Sequence, residues 1–211
     1  MKRIRRFHLP VPFDSRESLW GLSLETALSR AHIELEIGCG VGWHPIELAK
    51  KMKSETQAMI AVERTTEKFH AFRGRLENHP QLASIITGVH GDAFRFIATR
   101  IPNSSIDRLW LLYPNPDFKR SNHRWFNSMG FRRSLLALRC SGTFHFSTNL
   151  LGYAQEGEIA AGKLGLRLIE KQIISKLTRP DFAPRTHFEK KYFERGNDLF
   201  DYVFEKSHEA T

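Results

Sequence analysis

The sequence predicts a doubly wound α/β fold built on a mainly parallel sheet, and three observations carry that reading. Short apolar, β-branched runs alternate with helix-patterned segments through five units. The first run, 33–37, leads directly into the alternating glycines Gly38, Gly40 and Gly42. Acids then stand at the ends of the next two runs, Glu63 and Asp92. Two further strands near the C-terminus bring the expected sheet to seven.

The elements follow in order. Residues 1–13 carry Lys2, Arg3, Arg5, Arg6 and His8 without periodicity and read as a basic N-terminal arm; 14–211 read as a single domain. Leu19, Leu22 and Leu28 recur at helical spacing behind Asp14 or Ser15 as a candidate cap, so 15–29 is expected to be a helix. Residues 33–37 form the first strand. The helix 43–53 follows, with Pro45 in its first turn, where a missing N–H does no harm. Strand two is 58–62, and its helix 65–77 is ended by Asn78-His79-Pro80. Strand three is 84–89, with a short helix after Asp92. Strand four is 106–112. Phe126, Met129, Leu135, Leu136 and Leu138 predict a helix over 122–139, with Gly130 weakening its middle. Strand five, 142–147, precedes a helix over 153–163, and 166–174 and 199–204 are the last strands.

The bulk properties bound the answer. A chain of 211 residues with 41% hydrophobic content suits one ordinary core. Its apolar runs are too short to cross a membrane, and Pro10, Pro12 and Asp14 interrupt any signal-peptide core. Two cysteines, Cys39 and Cys140, argue for a reduced, cytoplasmic setting, and no Cys/His spacing resembles a zinc site, so no metal is expected. The net charge of +9 and the pI of about 9.8 point to a polyanionic partner. A basic enzyme with no such partner is the plain alternative.

In a doubly wound sheet the ligand lies beyond the C-terminal strand ends. Gly38, Gly40 and Gly42 allow close backbone approach there. Glu63 can accept from both hydroxyls of a ribose, Asp92 can reach an adenine edge, and Glu36 lies where an amino group would sit. The third fingerprint glycine of a dinucleotide site is replaced by Pro45, and no Lys-Ser or Lys-Thr pair follows, which excludes a P-loop. Three carboxylates would repel a diphosphate. They suit an amine, a ribose and a positive centre together, which S-adenosylmethionine carries; NAD is the runner-up. His44 reads as a helix-start polar residue and Trp110 as core, while Trp125 could stack on a base.

Strand four runs into Tyr113-Pro114-Asn115-Pro116, a loop fixed by two prolines, followed by Lys119, Arg120, His123 and Arg124. With this loop in view the chain resembles the tRNA (guanine-N7)-methyltransferase family from about Leu35 to Phe204. The resemblance rests on Leu35-Glu36-Ile37-Gly38-Cys39-Gly40, on Glu63, on Gly91-Asp92-Ala93 and on the proline-bracketed loop. It continues through Thr148-Asn149 with Tyr153, and Thr186-His187-Phe188-Glu189 before Gly196. It implies a Rossmann-like class I methyltransferase fold and methylation of guanine N7 in tRNA. Glu36, Gly38, Gly40, Gly42, Glu63 and Asp92 are then expected to hold the cofactor. Asn115 would be the catalytic residue where cofactor and base meet, and Lys119, Asn149, Thr186 and Glu189 would hold the guanine. The family usually has Asp where this chain has Asn115 and Asn149. That departure admits other readings: a methyltransferase for another RNA site or a small molecule, or a catalytically silent cofactor- and RNA-binding relative. RNA contact is expected from 2–6, 119–124, Arg132-Arg133 and Lys190-Lys191, with tRNA or another structured RNA as partner, no membrane, and a monomer or homodimer. For Glu189 to Lys191 a surface charge cluster is the alternative.

Overall fold

Strand-helix alternation produces one eight-stranded sheet in a computed structural model that describes residues 18–116 and 124–207. The strands are β1 (Ser18–Gly21), β2 (His32–Ile37), β3 (Gln57–Glu63), β4 (Ile86–His90), β5 (Ile106–Leu112), β6 (Leu138–Thr148), β7 (Leu166–Ile174) and β8 (Leu199–Lys206). The helices are α1 (Leu24–Leu28), α2 (Trp43–Ala49), α3 (Thr66–Glu77), α4 (Ala93–Arg100), α5 (Met129–Ala137), α6 (Leu151–Lys163) and α7 (His187–Glu194). Across the sheet the order is β1-β4-β3-β2-β5-β6-β8-β7. The strands β4, β3, β2, β5 and β6 are mutually parallel; β1, β8 and β7 pair antiparallel. The chain winds outward from β2 to β4, then crosses back to β5. The gap between the ends of β2 and β5 is therefore the topological switch point, where such sheets bind ligands.

Period-two alternation on β2 divides the core between the two faces. Ile33, Leu35 and Ile37 join a cluster containing Phe96 and Ile97 of α4, Phe131 and Leu135 of α5, and Ala154 of α6. On β3, Met59 and Ala61 point the other way and pack with Ile46 of α2 and Phe69, Phe72 and Leu76 of α3. These helices wrap both faces because each contributes an apolar stripe that only the sheet can cover.

Three expectations are corrected. The sheet has eight strands, because 18–21 is an edge strand on β4 and not the start of a helix over 15–29. Leu22 N donates to Ile86 O at 2.8 Å, and the buried Thr87 hydroxyl donates to Leu22 O, so this backbone is held by β4. The helical remainder is the single turn of α1, capped by Ser23. The helix expected over 122–139 is a 3-10 turn, Trp125–Asn127, followed by α5, whose first amides are capped by Ser128. It stops early because Leu138 already pairs with Ile106 as part of β6. Gly130 is there for contact: a Cβ would lie 2.1 Å from the Phe94 ring. Finally, α7 was not foreseen. The proposed basic arm at 1–13, the cap at Asp14 or Ser15, and Lys119 and His123 lie outside the described residues.

The α5–β6 junction is tied by Lys206 of β8. Its buried ammonium donates to Leu135 O at 2.9 Å and Leu138 O at 2.7 Å, placing a cation at a helix C-terminus. Lys206→Met keeps the stem but strands those carbonyls. It should lower unfolding stability by about 2 kcal/mol, read by urea denaturation.

Candidate active site

The glycine turn is built from left-handed backbone. Gly38, Gly40 and Gly42 have φ of +74°, +60° and +82°. Gly38 N and Cys39 N both donate to Val62 O, at 2.8 and 3.1 Å, and Gly40 N donates to Glu63 Oε2 at 3.0 Å. The three glycines serve two purposes. A Cβ on Gly38 or Gly40 would meet nothing within 4 Å, so the turn presents bare backbone. A Cβ on Gly42 would lie 2.0 Å from Cδ2 of Phe72, so this glycine seats α2 against α3.

Around the turn the acids stand at successive strand ends. Glu36, only 2% exposed, accepts from His44 Nδ1 at 2.8 Å. His44 is also buried and meets Trp110 edge-on, with ring centroids 4.6 Å apart. Its position early in α2 matches the expectation, but its work is to hold Glu36. Glu63 is buried and accepts from Gly40 N with one oxygen and from Thr65 N, at 2.6 Å, with the other. Asp92 is exposed and caps α4 by accepting from Arg95 N at 3.1 Å. A carboxylate has about four acceptor sites. These contacts therefore leave each acid able to accept from a ligand. Between Glu36 and Glu63, burial and then those two charges push the Cys39 thiol well up, so it stays protonated and unreactive.

Next to Glu36 on the same face of β2, the buried Glu34 accepts from Trp110 Nε1 at 2.6 Å and Arg108 at 3.3 Å. Trp110 is core, as expected, and stacks on His145 at 3.9 Å. Burial, and then the Arg108 charge, push His145 down to about 3.

Beyond β5 and β6 lies the second half. Tyr113 takes φ of +51°, uncommon for a bulky residue, and its N–H donates to Ser147 O at 2.8 Å. This turn carries the exposed Asn115 past the end of β5. The neighbouring strand β6 ends at Thr148, so Asn149 stands in the adjacent loop. Thr186 caps α7: its hydroxyl accepts from Glu189 N at 3.0 Å. Glu189 is 0% exposed, so the surface-cluster alternative fails for it, while Lys190 is exposed. The Glu189 carboxylate accepts from Arg185 Nε at 3.0 Å, and the same guanidinium pairs with Asp201 of β8 at 2.9 Å. Ser147 donates to Asp201 at 2.5 Å. Burial opposes the charge on Arg185, but Asp201 and Glu189 outweigh it and keep the guanidinium protonated. The Tyr113 phenol bonds to Glu189; burial and then that charge raise it far above its ordinary value.

The structure thus gathers Glu36, Gly38, Gly40, Gly42, Glu63 and Asp92 at the ends of β2, β3 and β4. Asn115, Asn149, Thr186 and Glu189 stand beyond β5, beyond β6 and on α7. Arg185 and Asp201 went unnoticed in the sequence, and Tyr113 was read there only as the start of the proline-bracketed loop. Thr186-His187-Phe188-Glu189 carries the Thr-x-x-Glu spacing of a helix start, a signal that could have located α7. Of the expected RNA contacts, Arg133 donates to Ile101 O at the end of α4, and Arg124 pairs with Glu156 of α6, so both also tie the fold together. Among the described residues no group of His, Cys, Asp and Glu could hold a metal ion, and no helix is long and apolar enough to cross a membrane.

The family described as "Putative methyltransferase" matches residues 30–202. A tRNA (guanine-N(7)-)-methyltransferase of Legionella pneumophila (strain Paris) is 25% identical over 208 residues, covering 98% of this chain and 83% of the relative. One of Shewanella amazonensis is 29% identical over 175 residues, covering 82% and 71%. Among solved structures, an antibiotic-related methyltransferase superposes with a TM-score of 0.65 at 15% identity, covering 87% of this chain and 94% of the other. The 16S rRNA methyltransferase KamB gives 0.65 at 13%, covering 87% and 91%. These two show the class I methyltransferase fold.

Gly42→Ala combines left-handed strain with a clash against Phe72 and should cost about 3 kcal/mol, whereas Gly40→Ala meets strain alone and should cost about 1 kcal/mol. Chemical denaturation of both variants measures the difference. For His145, the folded protein stays neutral to about pH 3, while the unfolded chain takes a proton near the ordinary 6.5. Its contribution is therefore present above pH 6.5 and lost as pH falls towards 3, at up to about 1.4 kcal/mol per pH unit. His145→Phe should flatten the acid limb of a stability–pH curve by that slope.

Proposed function

The chain belongs to the methyltransferase family that spans its residues 30–202, and from that membership we propose that it transfers a methyl group from S-adenosylmethionine to N7 of a guanine in tRNA. The observation that carries the proposal is the pairing of an open glycine turn with three acids on one side of the switch point and the Asn115 loop on the other. Relatives named for guanine-N7 methylation of tRNA, aligned over most of the chain, support it.

S-adenosylmethionine fits this donor set, and when bound it supplies an electrophilic methyl group on a sulfonium. Bare backbone at Gly38 and Gly40 admits the ligand closely. Glu36, kept in place by His44, would hold the ammonium. Glu63 would accept from the ribose hydroxyls and Asp92 from the adenine amine. Three carboxylates together suit a cation and would repel the diphosphate of NAD.

Guanine N7 carries a lone pair and no proton, so the site needs no general base. Its task is to place N7 in line with the methyl group, a contribution of orientation. Asn115 would do this with an amide that both donates and accepts. Asn149, in the loop after β6, would border the same space, and a lysine at 119 would add positive charge toward the RNA. Thr186 and Glu189 act one layer back, by fixing α7, Arg185 and the Tyr113 turn from which Asn115 projects. The net charge of +9 suits a polyanionic substrate.

The test is direct. Incubation with methyl-labelled S-adenosylmethionine and tRNA lacking 7-methylguanosine, followed by nucleoside digestion and mass spectrometry, should yield labelled 7-methylguanosine. Label in another nucleoside, or cofactor binding without transfer to any RNA, overturns the proposal in favour of another target or a silent binder. In the same assay Asn115→Asp should retain or exceed the wild-type rate, and a clear loss would give Asn115 a different task.

A further inference from the structure

A series of aromatic rings crosses the mouth of the site from α2 to the end of β5. Trp43, the first residue of α2, meets His187 edge-on at 6.0 Å, and His187 meets Phe188 at 6.1 Å. Phe188 lies parallel to Tyr192 at 6.2 Å, and Tyr192 to Tyr113 at 6.1 Å. The series ends at the turn that carries Asn115. Cations lie against it: Arg75 is 5.7 Å from the Trp43 ring, Lys68 5.9 Å from Phe188 and Lys191 5.6 Å from Tyr192. Contacts of α7 with Trp43 and Lys68 explain part of this, but not its exposure. Phe188 is 38% exposed, and His187, Lys68 and Arg75 are also exposed.

We propose that this ridge seats unpaired ribonucleotides flanking the target base, with bases stacked on Phe188 and neighbouring rings and phosphates held by Lys68, Arg75 and Lys191. The proposal rests on the reading of the site as an RNA methyltransferase. The N7 edge of a paired guanine faces the deep, narrow major groove of A-form RNA, which side chains cannot read. Reaction at N7 therefore needs an opened strand beside the site. Opened bases expose π-faces, and an aromatic surface with interspersed cations is the chemistry that receives them without reading sequence. A duplex would engage the cations and leave the rings unused.

The experiment is fluorescence anisotropy with a short labelled oligoribonucleotide, single-stranded or annealed to its complement, in the absence of cofactor. The full chain should bind the single strand more tightly than the duplex. Phe188→Ala should weaken single-strand binding about tenfold and leave duplex binding and the salt slope unchanged, with Phe188→Tyr restoring it. Lys68→Ala should instead reduce the salt slope by about 0.7. Phe188 is exposed, so these variants keep the fold, which a thermal melt verifies. Equal binding of strand and duplex, or an unchanged affinity for Phe188→Ala, overturns the proposal. Because no methyl is transferred, the outcomes separate. Ring-dependent binding without formation of 7-methylguanosine would sink the proposed reaction and support the ridge. Formation of 7-methylguanosine with ring-independent binding would sink the ridge alone.

Discussion

One carboxylate joins the main parts of the site. Glu63 accepts from Gly40 N on one side of β3 and from Thr65 N on the other. The first bond fixes a glycine turn whose left-handed residues would otherwise sample many conformations. The second sets where α3 begins, because Thr65 is the residue that precedes its first turn. Charge-assisted bonds to backbone N–H groups are among the stronger ones available, and this acid is sheltered from water. The shape of the turn, the direction of α3 and the negative field over the ligand site thus share one origin. Through α3, the same bond also positions Lys68 and Arg75 on the rim.

The two halves of the site are organised by opposite means. On the proposed cofactor side the acids each have a partner that leaves acceptor capacity: an imidazole for Glu36, backbone amides for Glu63 and Asp92. On the proposed acceptor side a single guanidinium, Arg185, gathers Glu189 and Asp201 and ties α7 to β8. A buried charge network of this kind contributes little net stability, since desolvation offsets attraction, but losing one member leaves a charge stranded. Its value here is geometric. It fixes the helix whose rings reach from Trp43 to Tyr113, and it bonds the residue whose unusual backbone aims Asn115.

Much of this was legible in sequence, for definite reasons. Runs such as 106–112 and 166–174 are short, rich in Leu and Ile and bounded by turn residues, and both strands appear with those limits. The glycine turn was legible because few other sequences follow a buried strand with three alternating glycines. The segment 15–29 misled because three leucines at helical spacing say nothing about an edge strand that pairs with β4 far along the chain. The helix over 122–139 was overextended because the helix-forming residues near its end were claimed by pairing with β5. Glu189 was ambiguous because a Glu-Lys-Lys run looks solvated, and only the fold brings Asp201 to the Arg185 that covers it.

By itself the sequence determined the α/β class, the place of the glycine turn and the acids at successive strand ends. Each of these follows from local periodicity and from the rule that a parallel sheet presents its strand ends to a ligand. Tertiary structure alone decided that His44 holds Glu36, that Trp110 joins Glu34 to His145, and that α7 lies across the site on Arg185. Trp110 and Glu34 are far apart in the chain, His44 and Glu36 are joined by no local periodicity, and the energy of a buried charge or ring depends on the neighbours that displace its water. Such neighbours exist only once the sheet has brought its strands together.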